Sequence, residues 1–315
     1  MQTYILKRLL LLIPVLFIVS VIIFSIIHLI PGDPATVLLG TEAADPELLA
    51  RLKSSLGLDK PLHVQYILWL GRVFRGDLGR SVRTGEPVLK LILQRFPFTL
   101  ELAVYALFLA VIAAIPMGTI AATSSSRAVD LTFQTMALFG LSVPAFWSGT
   151  MFILLFSVYL GWFPIISFPS FTEEPLKNLQ GFFLPALTVA IPNAAAMARM
   201  ARAAVLEVSR QEYVKTARAK GLPEKIVVFK HILKNAMVPI ITLIGIISGY
   251  LLGGTIIVEQ VFAIPGLGRL SVESVIQRDY PLLQAVVLFI TVGFVMVNLM
   301  VDLLYVFLNP KIRYE

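Results

Sequence analysis

Six stretches of this chain are long and apolar enough to cross a bilayer, and such a segment has few folds open to it. The first runs over residues 9–30, broken only by Pro14, Ser20, Ser25 and His28. The others cover approximately 100–122, 131–160, 184–204, 238–258 and 282–308. Hydrocarbon offers no water to the backbone, so each N–H and C=O must be paired within the protein. A helix of about 20 residues does this across roughly 30 Å of lipid. The composition agrees: 57% of residues are hydrophobic and 14% charged, with a mean hydropathy of +0.85, too apolar for a chain whose whole surface meets water. The sequence therefore predicts an all-α integral membrane protein with six transmembrane helices.

Basic residues orient the helices. Lys7, Arg8, Arg127, the stretch 199–234, Lys311 and Arg313 fall on one face if there are six crossings, whereas the opposite short loops carry Lys177, Arg269 and Arg278. The positive-inside rule makes the first face cytoplasmic, with both termini on it. The net charge of +7 thus belongs at span ends facing anionic headgroups, which disfavours a nucleic-acid binder. Length and the lack of a small-residue cleavage site make the first segment a retained anchor. Three regions follow: 1–30 as the N-terminal transmembrane helix, 31–97 as an extracytoplasmic helical insertion, and 98–315 as the core, with a cytoplasmic loop at 205–235 between the fourth and fifth spans. In the insertion, Asp45-Pro46 starts one helix bearing Leu48, Leu49, Leu52 and Leu56, and a second carries Tyr66, Leu68, Trp69, Leu70 and Val73.

Groups able to do covalent chemistry are sparse. There is no phosphate-binding glycine loop, no nucleophile elbow and no cysteine, and His28, His63 and His231 are far apart, so neither catalysis nor a metal site is expected. Ionisable residues in the spans are few. Asp302, Arg199 and Arg202 read first as a structural ion pair or snorkelling arginines, and second as a proton relay, which keeps a proton-coupled secondary transporter open. Gly245, Gly249 and Gly253 recur every four residues, the spacing that lets another helix approach, either inside the chain or at a subunit contact.

The loop at 205–235 is the most informative segment. Helix formers run to Lys220, Gly221 suits a left-handed helix end, and Pro223 can open the next helix. The spacing predicts two short helices joined at Gly221. The second offers Ile226, Val227, Phe229 and Ile232 as an apolar surface, fitted either to a partner's groove or to a membrane surface.

Here the sequence resembles the permeases of ABC importers in the dipeptide, oligopeptide and nickel group. The similar segment is Glu212-Tyr213-Val214-Lys215-Thr216-Ala217-Arg218-Ala219-Lys220-Gly221-Leu222, followed by His231, Asn235, Ala236 and Pro239. Further landmarks are Pro31-Gly32-Asp33-Pro34, Gly76-Asp77-Leu78-Gly79, Thr99-Leu100-Glu101-Leu102, Pro144-Ala145-Phe146, Pro265-Gly266-Leu267-Gly268 and Arg278-Asp279-Tyr280-Pro281. Where the broader importer motif has Glu-Ala-Ala, this chain has Lys215, Thr216 and Ala217.

The resemblance implies that Glu212, Tyr213, Ala217, Arg218, Lys220 and Gly221 form the loop that docks into an ATPase subunit. It implies two cytoplasmic ATPases holding ATP and Mg, a second homologous permease, and an extracytoplasmic solute-binding protein, with no cofactor on this chain. It also places the protein in a prokaryotic cytoplasmic (inner) membrane. The binding protein is expected to meet the 31–97 insertion and Gln260, Arg269, Arg278 and Asp279 near the pore mouth. Residues 17–21 and 252–259 look closest to importers of short peptides, glutathione included; nickel or another small solute is the alternative.

Overall fold

The computed structural model describes the backbone of residues 2–29, 46–47 and 59–308, and side chains at 10–25, 46–47, 59–301 and 303. Among the described residues the chain is helical, and its one extended pairing is an isolated bridge between Arg80 and Pro87. It divides into two compact units: one holds Phe98–Ile264 with the segment from Phe294 onward, and the other holds the described residues before Phe98 with Pro265–Gly293.

Two long helices organise the first unit. Helix α3, Val88–Thr123, enters it at Phe98, and α6 spans Pro175–Ser209. Their 36 and 35 residues correspond to rods of about 50 Å. Along α3 the buried alanines are Ala103, Ala106, Ala110, Ala114 and Ala121, a stripe at helical spacing that also contains Gly118. A Cβ built on Gly118 would lie 2.5 Å from the Ala198 carbonyl oxygen and 2.7 Å from the Ala201 Cβ of α6, so the two backbones nearly touch. Toward the other end, Tyr105 meets Phe182 edge-on at 5.7 Å, so residue numbers rise together along the two helices, which run parallel along a shared seam. Since lipid is as apolar as a side chain, this contact rests on close packing of small residues.

Helix α4, Arg127–Ser142, packs on α6, where Gly140 faces Ile191 and Ala195. Helix α5, Ala145–Phe152, continues through a π-helical stretch, Ile153–Tyr159. The axes of Arg127–Ser142 and Ala145–Tyr159 differ by 97°. The third expected span, 131–160, is therefore broken. Pro144 has no N–H to give a preceding turn, and it holds Val143 in the extended region at φ −78°, ψ 123°. Among the described residues, four helices are long and apolar enough to cross a membrane: Val88–Thr123, Pro175–Ser209, Glu224–Gly254 and Tyr280–Val301. Counting the bent pair as one span gives five.

Helix α9, Lys234–Gly254, lies on α6 and on the C-terminal part of α12, Tyr280–Leu308. Gly245 packs against Val301, and a Cβ on Gly249 would come 3.1 Å from the Asn298 amide. These two glycines thus serve packing inside the chain. Gly253 is partly buried in the last turn of α9. The expected fifth span stops at Gly254; Thr255 turns the chain into the short helix α10, Ile256–Val261.

In the second unit, α1 (Gln2–Leu29) meets α2 (Leu62–Phe74) through a 2.7 Å hydrogen bond between the Ser20 and Tyr66 hydroxyls. Phe24 adds ring contacts with Tyr66 and Trp69 at 5.4 and 5.8 Å. The second helix expected in the insertion is α2; the first, with Leu48, Leu49, Leu52 and Leu56, lies outside the described residues. Helix α11, Leu267–Ile276, joins the first turns of α3 and α12 around Val88, Ile92, Leu270, Leu282 and Val286.

Gly118→Val tests the small-residue seam. Its side chain has no space against Ala198 and Ala201, so the helices must separate, at a cost of about 1–3 kcal/mol. A lowered melting temperature in detergent is expected, whereas Val104→Ala on the exposed face of α3 leaves it within a degree or two.

Candidate functional site

The segment after α6 folds as two helices around Gly221. Helix α7, Glu212–Ala219, ends at Lys220; Gly221 follows with φ +76°, and Pro223 sits just before α8, Glu224–Ile226. The glycine does what a left-handed position requires. Pro223 takes the cap position, one place earlier than expected. Nor is the second helix separate: from Glu224 it passes through a π-helical stretch, Val227–Leu233, into α9, making one apolar rod from Glu224 to Gly254.

Burial sorts the side chains of this loop into two sets. Val214 and Ala217 of α7 pack with Ala204 and Val205 of α6 and with Val227, Val228, Ile232 and Ala236, a closed apolar cluster. Val227 and Ile232 are therefore interior, and only Ile226 and Phe229 of the expected apolar docking surface are exposed, Phe229 by 67%. The reason is helical phase: positions 227, 228 and 232 turn into the cluster beneath α7 while 226 and 229 turn outward. Ala217 seats the helix rather than offering itself to a partner. Glu212, Tyr213, Arg218, Lys220 and Gly221 are exposed.

Polar contacts brace the turn. Arg218 reaches across Gly221 to Glu224 in a two-pronged contact, Nη2 to Oε1 at 2.7 Å and Nε to Oε2 at 3.1 Å. The hydrogen bond to Glu224 outweighs the opposing effect of burial, and with that carboxylate's charge it raises the Arg218 pKa above its ordinary value. Arg218 is thus a fixed cation at any physiological pH. Glu212 pairs with Lys215 at 2.7 Å within α7. Asn235 Nδ2 donates to the Tyr213 hydroxyl at 2.8 Å, and that hydroxyl donates to the His231 carbonyl at 3.3 Å, tying the start of α7 to the rod. Opposite charges flanking a Gly-Leu-Pro turn are the sequence signal that points to Glu224.

The remaining expected residues are divided between the two units. Gln260 is exposed at the end of α10, in the first unit. In the second unit, Arg269 pairs with Glu273 at 2.8 Å and Arg278 is exposed, with φ +55°. Asp279 is buried: it accepts a hydrogen bond from the Ser81 hydroxyl and another from the Leu282 amide at the start of α12. Its carboxylate is engaged internally.

Arg202 pairs with Asp130, in the first turn of α4, at 2.8 Å, and Gln134 donates to the other Asp130 oxygen at 3.0 Å. Arg202 thus has an ion-pair partner that the sequence reading did not name, 72 positions earlier in the chain. The side chain of Asp302 lies outside the described residues. Composition also left Glu259 unremarked as a buried group. It is fully buried and takes hydrogen bonds from Thr99 at 2.8 Å and Thr255 at 3.0 Å. Among the described residues, no group of three or more His, Cys, Asp or Glu is placed to hold a metal ion.

Family profiles account for nearly the whole chain. The binding-protein-dependent transport system inner membrane component matches residues 114–314, and the N-terminal part of a binding-protein-dependent transport system membrane component matches residues 1–103. The chain is 45% identical over 315 residues to the glutathione transport system permease protein GsiC of Escherichia coli (strain K12), covering 100% of both chains. The same identity and coverage hold for GsiC of Salmonella typhimurium (strain LT2). Among solved structures, an amino acid ABC transporter with histidines superposes with a TM-score of 0.54 at 17% identity, over 69% of this chain and 93% of that one, a likeness of fold.

The cluster beneath α7 can be tested directly. Val214→Asp puts a carboxylate without a partner into an apolar site, at a cost of several kcal/mol. Proteolysis within 205–235 is expected to accelerate markedly in Val214→Asp and to stay near the wild-type rate in Val214→Ile. Gly221→Ala, forced into φ +76°, loses about 1–2 kcal/mol, read as a lower melting temperature.

Proposed function

The chain belongs to the family of binding-protein-dependent transport system inner membrane components, the permeases of ABC importers, and from that premise we propose that it is one permease half of an ATP-driven importer of short peptides, glutathione among them. The observation that carries the reading is the build of the loop around Gly221: α7 is seated on its own apolar cluster and leaves Glu212, Tyr213, Arg218 and Lys220 outward. The outer face of α7 suits a protein groove better than lipid, because its exposed side chains are mostly charged and polar and its apolar Val214 and Ala217 are already buried.

The mechanism follows from rigidity. Val214 and Ala217 lock α7 to α6 and to the rod that begins at Glu224, and Arg218–Glu224 fixes the angle at Gly221. A displacement imposed on α7 therefore moves the ends of both long helices rather than bending the turn. In this reading two cytoplasmic ATPases bind ATP and Mg, close, and pull on α7. The permease then tilts against a second, homologous permease and switches access, while a solute-binding protein delivers ligand from the far side. The chain itself hydrolyses nothing.

Topology belongs to the same proposal. The apolar stretch at the N-terminus, the four long helices and the bent α4–α5 pair make six crossings, with both termini and α7 in the cytoplasm. The regions remain 1–30, 31–97 and 98–315, and residues 31–97 are extracytoplasmic. Substrate is drawn from the glutathione permeases that share 45% of the sequence from end to end.

Reconstituted with its partners, the protein should take up labelled glutathione or dipeptide only with ATP, binding protein and both permeases present. Arg218→Glu with Lys220→Glu should lower ATPase co-purification at least tenfold without removing the chain from the membrane. Uptake by this chain alone, driven by a proton gradient, would refute the reading. For the substrate, the melting temperature of the cognate binding protein should rise with glutathione or a dipeptide; a rise with nickel alone would reassign the cargo.

A further inference from the structure

Helix α6 is enclosed over most of its circumference: α3 meets it at Ala198 and Ala201, α4 at Ile191 and Ala195, and α9 lies along it. One face is left open. Pro192, Ala196, Arg199 and Ala203 recur at i, i+4, i+7 and i+11, a single line along the helix, and Asn193 and Met200 flank it. These residues are exposed or half-buried. Past the end of the expected span the same line continues with Glu207 and Arg210, both exposed. The outward face of α3 is made differently: Leu100, Val104, Phe108, Ile112 and Ile120 are exposed there, and all are large and apolar. Hydrocarbon selects the composition of the α3 face, not that of the α6 face.

The chemistry of the α6 face also sets it against lipid. An ionisable residue within a span is costly in hydrocarbon and almost always turns to a protein interior or a water-filled cavity. Arg199 stands before the end of the expected span at Ala204 by roughly 8 Å of helix, and its neighbours on the line are two alanines and a proline, which give lipid chains little to hold. Pro192 has no N–H to offer the Thr188 carbonyl. Asn193 spends its amide N–H on the Val189 carbonyl at 2.8 Å, while its side-chain oxygen remains an acceptor. A face that combines a guanidinium with amide and backbone acceptors suits water and polar solutes.

We propose that this face of α6 lines the translocation path and that Arg199 takes the carboxylate of the passing peptide. The inference rests on the importer reading above and on its short-peptide cargo. Short peptides differ in every side chain but share a terminal carboxylate, and glutathione carries a further one. A guanidinium grips such a group through two parallel hydrogen bonds. Met200 beside it is flexible and polarisable, so it can meet varied side chains, and Ala196 and Ala203 leave width for them. A single cation on an open face also binds weakly enough to let go, which passage requires.

The chain has no cysteine, so single cysteine substitutions report on their own sites. The complete importer in lipid is exposed to a charged, membrane-impermeant thiol reagent, and labelling is read by mass spectrometry of this chain. Ala196→Cys and Ala203→Cys should react about tenfold or more faster than Val104→Cys and Phe108→Cys on α3, because the reagent attacks a thiolate, which needs water. Rates within about twofold of the α3 controls mean that lipid or the second permease covers the face, and overturn the proposal. In ATP-driven uptake of labelled glutathione with saturating binding protein, Arg199→Gln should lower turnover about tenfold, the scale of one lost charged hydrogen bond, and Arg199→Lys less than threefold. ATP hydrolysis should stay within about twofold, so that fewer peptides move per ATP. Unchanged turnover in Arg199→Gln overturns the proposal, as does a parallel fall in ATP hydrolysis. So does an equal loss in Asp302→Asn with a lowered melting temperature in both variants, the mark of a structural ion pair. If the wild-type complex moves no peptide with ATP, the importer reading falls and the role of Arg199 with it, whereas the labelling pattern still tells whether the face is wet.

Discussion

Close approach of α6 to its neighbours is the constraint on which the first unit depends. Lipid gives helices no hydrophobic reason to associate, so the surfaces that meet must fit at van der Waals distance and lose little entropy in doing so. Alanine and glycine meet both conditions. Gly118 lets α3 in, Gly140 lets α4 in, and α9 repeats the device against α12 with Gly245 and Gly249. With so many long neighbours held by backbone-scale contacts, α6 has no room to bend independently. A push at one end must appear as movement of the group.

That property gives the loop around Gly221 its meaning. A loop of exposed charge on a flexible tether would absorb an applied force. Here α7 shares an apolar cluster with α6 and with the rod from Glu224 to Gly254, and the turn between them is braced by Arg218–Glu224 and by the Tyr213–Asn235 contact. The ion pair is exposed, so its contribution to stability is small. Its value is geometric: a guanidinium gripping both carboxylate oxygens fixes an angle as well as a distance.

Much of this was legible in the sequence because it follows from local rules. Span length comes from the thickness of hydrocarbon, and the helix break at Gly221 from the left-handed backbone that glycine tolerates. The errors arise where the outcome depends on partners far along the chain. Hydropathy averages over 131–160 and passes smoothly across Pro144, so a 97° turn looked like one span. Val227 and Ile232 read as a surface because nothing local said that Val214 and Ala217 would cover them. Asp279 read as a contact offered outward near the pore mouth, and only the Ser81 contact, 198 positions away in sequence, shows it to be an internal anchor.

Glu259 shows the same limit from the opposite direction. A carboxylate in an apolar interior is tolerated only when hydrogen-bonded donors replace the water it gives up. Thr255 supplies one from the preceding turn and Thr99 another from α3, so the residue that breaks the α9 rod also helps hold α10 against a different long helix. A hydrophobic residue of similar size would fill the space without specifying where α10 must stop. The buried acid trades some stability for a defined position, which a moving machine needs at the points where its rods end.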